Sequence, residues 1–256
     1  MRDISFLKIS SLVFMRDLNI AKSYSVRFLY SILFVFLQIL IFYFMTSFIQ
    51  SASNNNVEQQ ELFLYFIIGI AFLDYSQLII SYPSSQLEQF KVSGAFQEIL
   101  CLPVSNLAYF LASNIYAAFF AFYRLLIYLI FLLIFSGQMA LDAGDAFFLI
   151  ICFLIFSLSV VGFSLLSLAI TIAFHRSSMF LTLYAGLAVI FGGVFYTEEV
   201  LPDSLQFLRY FLPISTFLEI FRGICIDETV TSEFLHELLL LALQTLICFF
   251  IGIFSL

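Results

Sequence analysis

Two charged residues interrupt runs that are otherwise apolar: Asp74 within 62–80 and Arg124 within 107–135. At the centre of a membrane helix such a residue costs about 2.5–3.5 kcal/mol on insertion scales, so it marks pairing or function. An acid and a base in neighbouring spans have two kinds of chemistry open to them. They can pair and fix the packing of two spans, or they can meet the polar head group of a passing substrate. Counting ~1.5 Å per helical residue from the ends of these runs puts Asp74 about 10 Å from the end at residue 80, with Arg124 deeper. On that count a direct pair needs a tilted helix or a snorkelling arginine.

The other reactive residue types do not converge. His175 and His236 fall in different topological places and form no site. Cys101, Cys152, Cys225 and Cys248 show neither CxxC nor metal spacing and read as packing residues, without a disulfide. The phosphate-cradling pattern G-x-x-x-x-G-K-[ST] is absent, and no Lys follows a Gly. No catalytic residue and no metal site is therefore expected. A membrane-embedded lipid-modifying enzyme would need His, Asp, Ser or metal ligands converging at one depth, and the residues for it are missing.

The elements that hold these residues follow from composition. Of 256 residues, 63% are hydrophobic and 11% charged, with mean hydropathy +1.10. A soluble domain carries about 25% charged residues, so the solvent here is lipid. Each crossing takes about 20 apolar residues. The runs 28–49, 62–80, 107–135, 146–174, 179–196 and 238–256 read as six spans of a single-domain, all-α integral membrane protein. Residues 1–27 interleave Ile4, Leu7, Leu12 and Leu18 with Arg2, Lys8, Arg16 and Lys22, as an amphipathic helix that meets anionic head groups. They lack the apolar core of a cleavable signal peptide.

Basic residues set the orientation. With both termini in the cytosol, Arg2, Lys8, Arg16, Lys22, Arg27, Lys91 and Arg176 lie inside. Glu58, Glu61, Asp142, Asp145, Glu198, Glu199 and Asp203 then lie outside. With no basic patch beyond the N-terminus, nucleic acid is not an expected partner.

Two polar intervals stand out. In 86–105, Val92, Ala95, Phe96, Ile99 and Leu100 share one helical face and Pro103 ends the helix. In 197–237, Pro202 can open one short helix and Pro213 breaks the chain. Thr216-x-x-Glu219 then reads as a capping box for a second helix, and both helices are too short to span.

The stretch Gly94-Ala95-Phe96-Gln97-Glu98-Ile99-Leu100-Cys101-Leu102-Pro103-Val104-Ser105 resembles the coupling helix of ABC type-2 exporter permeases. That family often shows Gly-Thr-Leu-Glu-x-Leu-Leu-x-x-Pro-Val-Ser after an acidic–basic run. Here Ala95 replaces Thr, and the approach to Gly94 is poorer in charge. Gly192-Gly193-Val194-Phe195, Glu199-Val200-Leu201-Pro202, Leu212-Pro213-Ile214 and Leu218-Glu219-x-x-Arg222 resemble the same family's outer segment. Together the two motifs, in the family's order, extend the resemblance over nearly the whole chain.

The resemblance implies a permease subunit driven by a separate ATPase, which would carry the ATP and Mg. That ATPase would dock on Gly94, Phe96, Gln97, Glu98 and Pro103, and touch the N-terminal helix. Spans 2 and 5 would line a path with Asp74, Tyr75, Gln77, Phe191 and Phe195. Glu199, Pro202, Pro213, Glu219 and Arg222 would shape an outer gate. Two ATPases and a second permease, identical or a sister chain, would complete the pathway in a bacterial inner membrane. The cargo would be an exported amphipath: a lipid, a lipid-linked glycan or a drug. A non-transporting assembly or sensor protein of the same fold is the alternative.

Overall fold

A computed structural model describes residues 6–23, 26–52, 59–97, 101, 106–136, 143–174, 178–196, 202, 207–226 and 234–254. Every element among the described residues is helical. In chain order they are α1 (Phe6–Ser23), α2 (Val26–Ala52), α3 (Gln59–Ser93), α4 (Asn106–Ser136), α5 (Ala143–Phe174) and α6 (Ser178–Phe191). A 3-10 turn (Phe207–Phe211), α7 (Pro213–Cys225) and α8 (Leu235–Phe254) follow.

Five of these are long and apolar enough to cross a membrane: Phe28–Ser51, Gln60–Ser93, Ala108–Ile134, Gly144–Phe174 and Leu235–Phe254. The expected fifth span, 179–196, differs. Its helix α6 has only 14 residues, about 21 Å against a hydrocarbon core of about 30 Å. The Gly192 N–H donates to the Ala188 carbonyl at 2.9 Å, and Gly193 then takes φ 65° and turns the chain. Apolar residues continue to Tyr196, but the helical backbone does not.

The second span is corrected in the opposite sense. A span ending at residue 80 and a separate coupling helix from residue 86 were expected. Instead α3 runs unbroken for 35 residues through Pro83 to Ser93. Neither the polar residues after Ile80 nor one proline ends it, because neighbouring helices and Ser side chains re-satisfy the backbone around a membrane proline. What ends it is Gly94, at φ 78°, a backbone state open to Gly without penalty.

α3 is the axis of the bundle. Its apolar window is 78% buried, against 17% to 39% in the other four long helices. α4 and α5 pack along it, α2, α6 and α7 touch it, α8 lies on α5, and α1 lies on α4. Lipid tails are as apolar as the side chains, so close packing and interhelical hydrogen bonds hold such a bundle. α5 and α8 meet through glycines: a Cβ on Gly252 would sit 2.7 Å from the Gly162 carbonyl oxygen, and one on Gly162 2.8 Å from the Cys248 backbone. Hydroxyls tie α3 to α5 at Tyr75–Ser157 and Ser84–Ser167, both 2.8 Å. Ser164 of α5 donates to Asn114 of α4 at 2.6 Å.

α7 opens on Pro213 in its first turn, with Leu212 as an N-cap that makes no side-chain bond. The expected capping box does not form. Thr216 is already inside the helix, and its hydroxyl donates to Gln244 Oε1 of α8 at 3.3 Å. Pro213 therefore starts a helix instead of breaking the chain, as its fixed φ and missing N–H suit that position. α7 is seated in the core, where Phe217 stacks on Phe156 at 4.6 Å and meets Phe72 edge-on at 4.7 Å.

Candidate functional site

The segment that starts at the end of α3 is one candidate site. The Gly94 N–H donates to the Lys91 carbonyl at 3.4 Å. A Cβ added at Gly94 would meet nothing, so the glycine serves the backbone turn alone. Helical geometry resumes at Phe96 and Gln97, and the Cys101 N–H donates to the Gln97 carbonyl at 3.3 Å. Phe96 packs against the cluster of Ile9, Val13, Leu87, Tyr109 and Phe110. Gln97 is exposed. Lys91 covers the Phe96 ring at 5.8 Å and donates to the Thr171 carbonyl at 3.3 Å. Val92, expected on the apolar face, is 85% exposed, because Gly94 rotates the face that follows it. Glu98 and Pro103 lie outside the described residues.

α1 joins this segment by polar contacts that the sequence did not announce. Arg16 was expected to meet lipid head groups. Instead its Nε donates to Asp17 Oδ1 at 2.7 Å, and its terminal nitrogens donate to the Tyr109 hydroxyl and, at 3.3 Å, to Gln86 Oε1. Gln86 Nε2 donates in turn to Asp17 Oδ2 at 3.1 Å and to the Tyr82 hydroxyl at 2.9 Å. Burial works to lower the Arg16 pKa; the Asp17 charge and Tyr109 outweigh it and hold it above the ordinary value. Asp17 is only 2% exposed. A lone acid within a basic helix was the available signal.

At mid-bundle, Arg124 Nη2 donates to Asp74 Oδ1 at 2.9 Å, with side chains 9% and 12% exposed. The pair is direct because α3 is longer than expected. From Ser93 back to Asp74 is about 28 Å of helix, and from Asn106 on to Arg124 about 27 Å, so the two antiparallel helices bring both to one level. The guanidinium also lies 4.9 Å over the Phe34 ring, and the Tyr128 hydroxyl donates to Gln38 on α2. Gln38 and Gln244, polar residues in apolar runs, were missed; the rule that picked out Asp74 would have found both.

The other expected path residues point to separate neighbours. Tyr75 faces Ser157 and is 3% exposed, whereas Gln77 is half-buried. Phe191 lines an apolar cavity between α5 and α6. Phe195 stacks on Phe42 at 5.7 Å and meets Phe66 at 6.1 Å. Within one copy of the chain these residues do not form one surface.

Arg222 of α7 closes the opposite end of α3. Its Nη1 donates to the Gly193 carbonyl at 2.5 Å, and its Nη2 to the carbonyls of Tyr65 at 2.8 Å and Val194 at 2.9 Å. The guanidinium lies 3.5 Å over the Tyr65 ring, whose hydroxyl donates to the Gly193 carbonyl at 3.3 Å. Gly69 makes room: a Cβ there would sit 2.6 Å from Arg222 Nη2 and closer still to the Val194 oxygen. Arg209 of the 3-10 turn donates to Glu219 at 2.5 Å. Pro213 is buried and Pro202 exposed. Glu199 lies outside the described residues.

Among the described residues no group of His, Cys, Asp or Glu could hold a metal ion. The family model described as "ABC-2 family transporter protein" matches residues 49–254, which takes in α3 to α8. No curated protein matches the chain.

Proposed function

The chain belongs to the ABC-2 transporter family, and from that premise we propose that it exports an amphipathic cargo, driven through the segment 86–105. It is an integral membrane protein and the transmembrane subunit of an ABC transporter, and the family implies an ABC ATPase as its partner; we place that ATPase on a separate chain. In the proposed arrangement that ATPase docks on Gly94, Phe96, Gln97, Glu98 and Pro103 at the cytosolic face, beside α1. Both termini of the chain lie in the cytosol in this proposal, which counts the short apolar α6 as a crossing beside the five long helices, and the membrane is a bacterial inner membrane. Two ATPases, each binding ATP and Mg, act on two permeases, either two copies of this chain or this chain and a sister.

The observation that carries the reading is the continuity of α3. The segment after Gly94 hangs from one end of this helix, Asp74 sits in its middle, and Tyr65 and Gly69 lie beneath Arg222 near its start. A push at the segment is therefore felt at both buried arginines. ATP-driven closure of the ATPases shifts the population towards a second packing of α3 and α6. Across the permease pair, Asp74, Tyr75, Gln77, Phe191 and Phe195 line the path. Glu199, Pro202, Pro213, Glu219 and Arg222 shape its exit. The cargo is a lipid, a lipid-linked glycan or a hydrophobic drug.

Glu98→Arg tests the docking. The substitution is expected to weaken recruitment of the ATPase and uncouple its hydrolysis from transport by tenfold or more, about 1.4 kcal/mol. Co-purification of the ATPase and cargo-stimulated hydrolysis measure the two effects. Wild-type values for both would overturn the assignment.

A further inference from the structure

We propose that Lys91 is a positioning residue that joins α3 and α5 into one double lever beneath the segment after Gly94. The proposal rests on the docking of an ATPase at that segment, and it adds α5 to α3 as a carrier of the push.

The two helices run parallel and in register. Tyr75 meets Ser157, Ser84 meets Ser167 and Lys91 meets Thr171, at sequence separations of 82, 83 and 80. They also stop together, α3 at Ser93 and α5 at Phe174. Two parallel helices that end side by side bring two negative dipole ends together. Thr171 is among the last four residues of α5, whose carbonyls find no partner within the helix. Lys91 stands in the last turn of α3 and donates to the Thr171 carbonyl at 3.3 Å. One ammonium thus answers both helix ends, as a lysine near a helix C-terminus can.

Of the three contacts, the one made by Lys91 also reaches the segment. Its ammonium lies 5.8 Å over the Phe96 ring, just past the Gly94 turn. Phe96 in turn packs on the cluster that holds Leu87 of α3 and Leu168 of α5. Tilting the segment carries Lys91 with it, and Lys91 pulls on α5. Because α5 packs on α7 and α8, the push gains a second route to the far half of the bundle.

Hydrogen exchange read by mass spectrometry tests this in two arms. The first uses the full chain alone in nanodiscs. In Lys91→Met the amides of 94–97 and 168–174 are expected to exchange about fivefold faster, the factor that roughly 1 kcal/mol takes from a local opening equilibrium. Lys91→Arg is expected to restore the wild-type rates, and Lys91→Gln replaces Lys91→Met should that variant not fold. The second arm uses the complex with the co-purifying ATPase, with and without AMP-PNP and Mg. Nucleotide is expected to alter exchange in 84–93 and 168–174 of the wild-type chain, but in 84–93 alone of Lys91→Met. Unchanged rates in the first arm, a loss that Lys91→Arg shares, or a nucleotide response of 168–174 that survives Lys91→Met would overturn the role of Lys91. A wild-type complex in which neither stretch responds to nucleotide would instead overturn the docking at the segment, and the double lever with it, while the first arm still reports the hold of Lys91 on α5.

Discussion

Two buried arginines solve one electrostatic problem in different ways. Arg124 and Arg222 are 8% and 6% exposed, and neither can discharge its guanidinium by losing a proton. Arg124 is answered by the carboxylate of Asp74. Arg222 is answered by the carbonyls of Gly193, Tyr65 and Val194 and by the face of the Tyr65 ring. A carboxylate cancels the charge but brings its own desolvation cost. Carbonyl dipoles are cheaper to bury, yet they must be held in place by backbone. The Asp74 pair therefore needs only α3 and α4 side by side. The Arg222 cluster needs α3, the end of α6 and α7 all assembled, so it reports on the whole outer half of the fold in the proposed orientation.

The comparison is broken most strongly at Asp74. Asp74→Ala strands the Arg124 charge inside the bundle, and about 3–5 kcal/mol of stability should go with it. Replacing both residues by Leu should recover most of that loss. Unfolding in mixed micelles with rising dodecyl sulfate measures all three chains. Should the single variant lose no more than the double, the account of Arg124 as a paired charge fails.

A smaller effect is expected at the other arginine. Arg222→Lys keeps the charge but replaces a planar fork with a point donor that cannot serve every carbonyl, a loss of about 1–3 kcal/mol. Gly69→Ala should act on the same cluster, since its Cβ would meet Arg222 Nη2 and the Val194 oxygen. In a double-mutant cycle the two losses should fall short of adding by at least about 0.5 kcal/mol. Strict additivity would show that Gly69 and Arg222 do not share one site.

The least effect is expected where an arginine pair reaches water or head groups. The Glu219 side chain is 37% exposed in its pair with Arg209, so Glu219→Gln should cost less than about 1 kcal/mol in the same unfolding assay. A loss as large as that at Asp74 would mean that exposure does not grade these pairs.

These sites were not equally legible beforehand. Asp74 and Arg124 stand out in the sequence because each is an anomaly in its own apolar run. Arg222 was singled out by motif, but its partners could not be read, since a carbonyl belongs to every residue and has no letter of its own. The Arg16–Asp17–Gln86–Tyr109 network was hidden for a related reason. The contacts that tie Arg16 and Asp17 to Gln86 and Tyr109 join residues 69 to 93 positions apart, and each residue alone resembles an ordinary interfacial one.

Hydropathy is a sum over neighbours in the chain, so the sequence by itself determined the lipid solvent, the all-helical class and where apolar runs begin. It marked Gly94 as the first residue of the coupling-helix motif but read a helix through it, where the structure has a turn. Only the tertiary structure decided that α3 continues to Ser93, that α6 stops at Phe191, and that Pro213 opens a helix. Helix ends are settled by which backbone groups find partners, and those partners come from elements distant in sequence. For the same reason Asp74 could be suspected from its letter alone, but its contact with Arg124 waited for two antiparallel helices to set them at one depth.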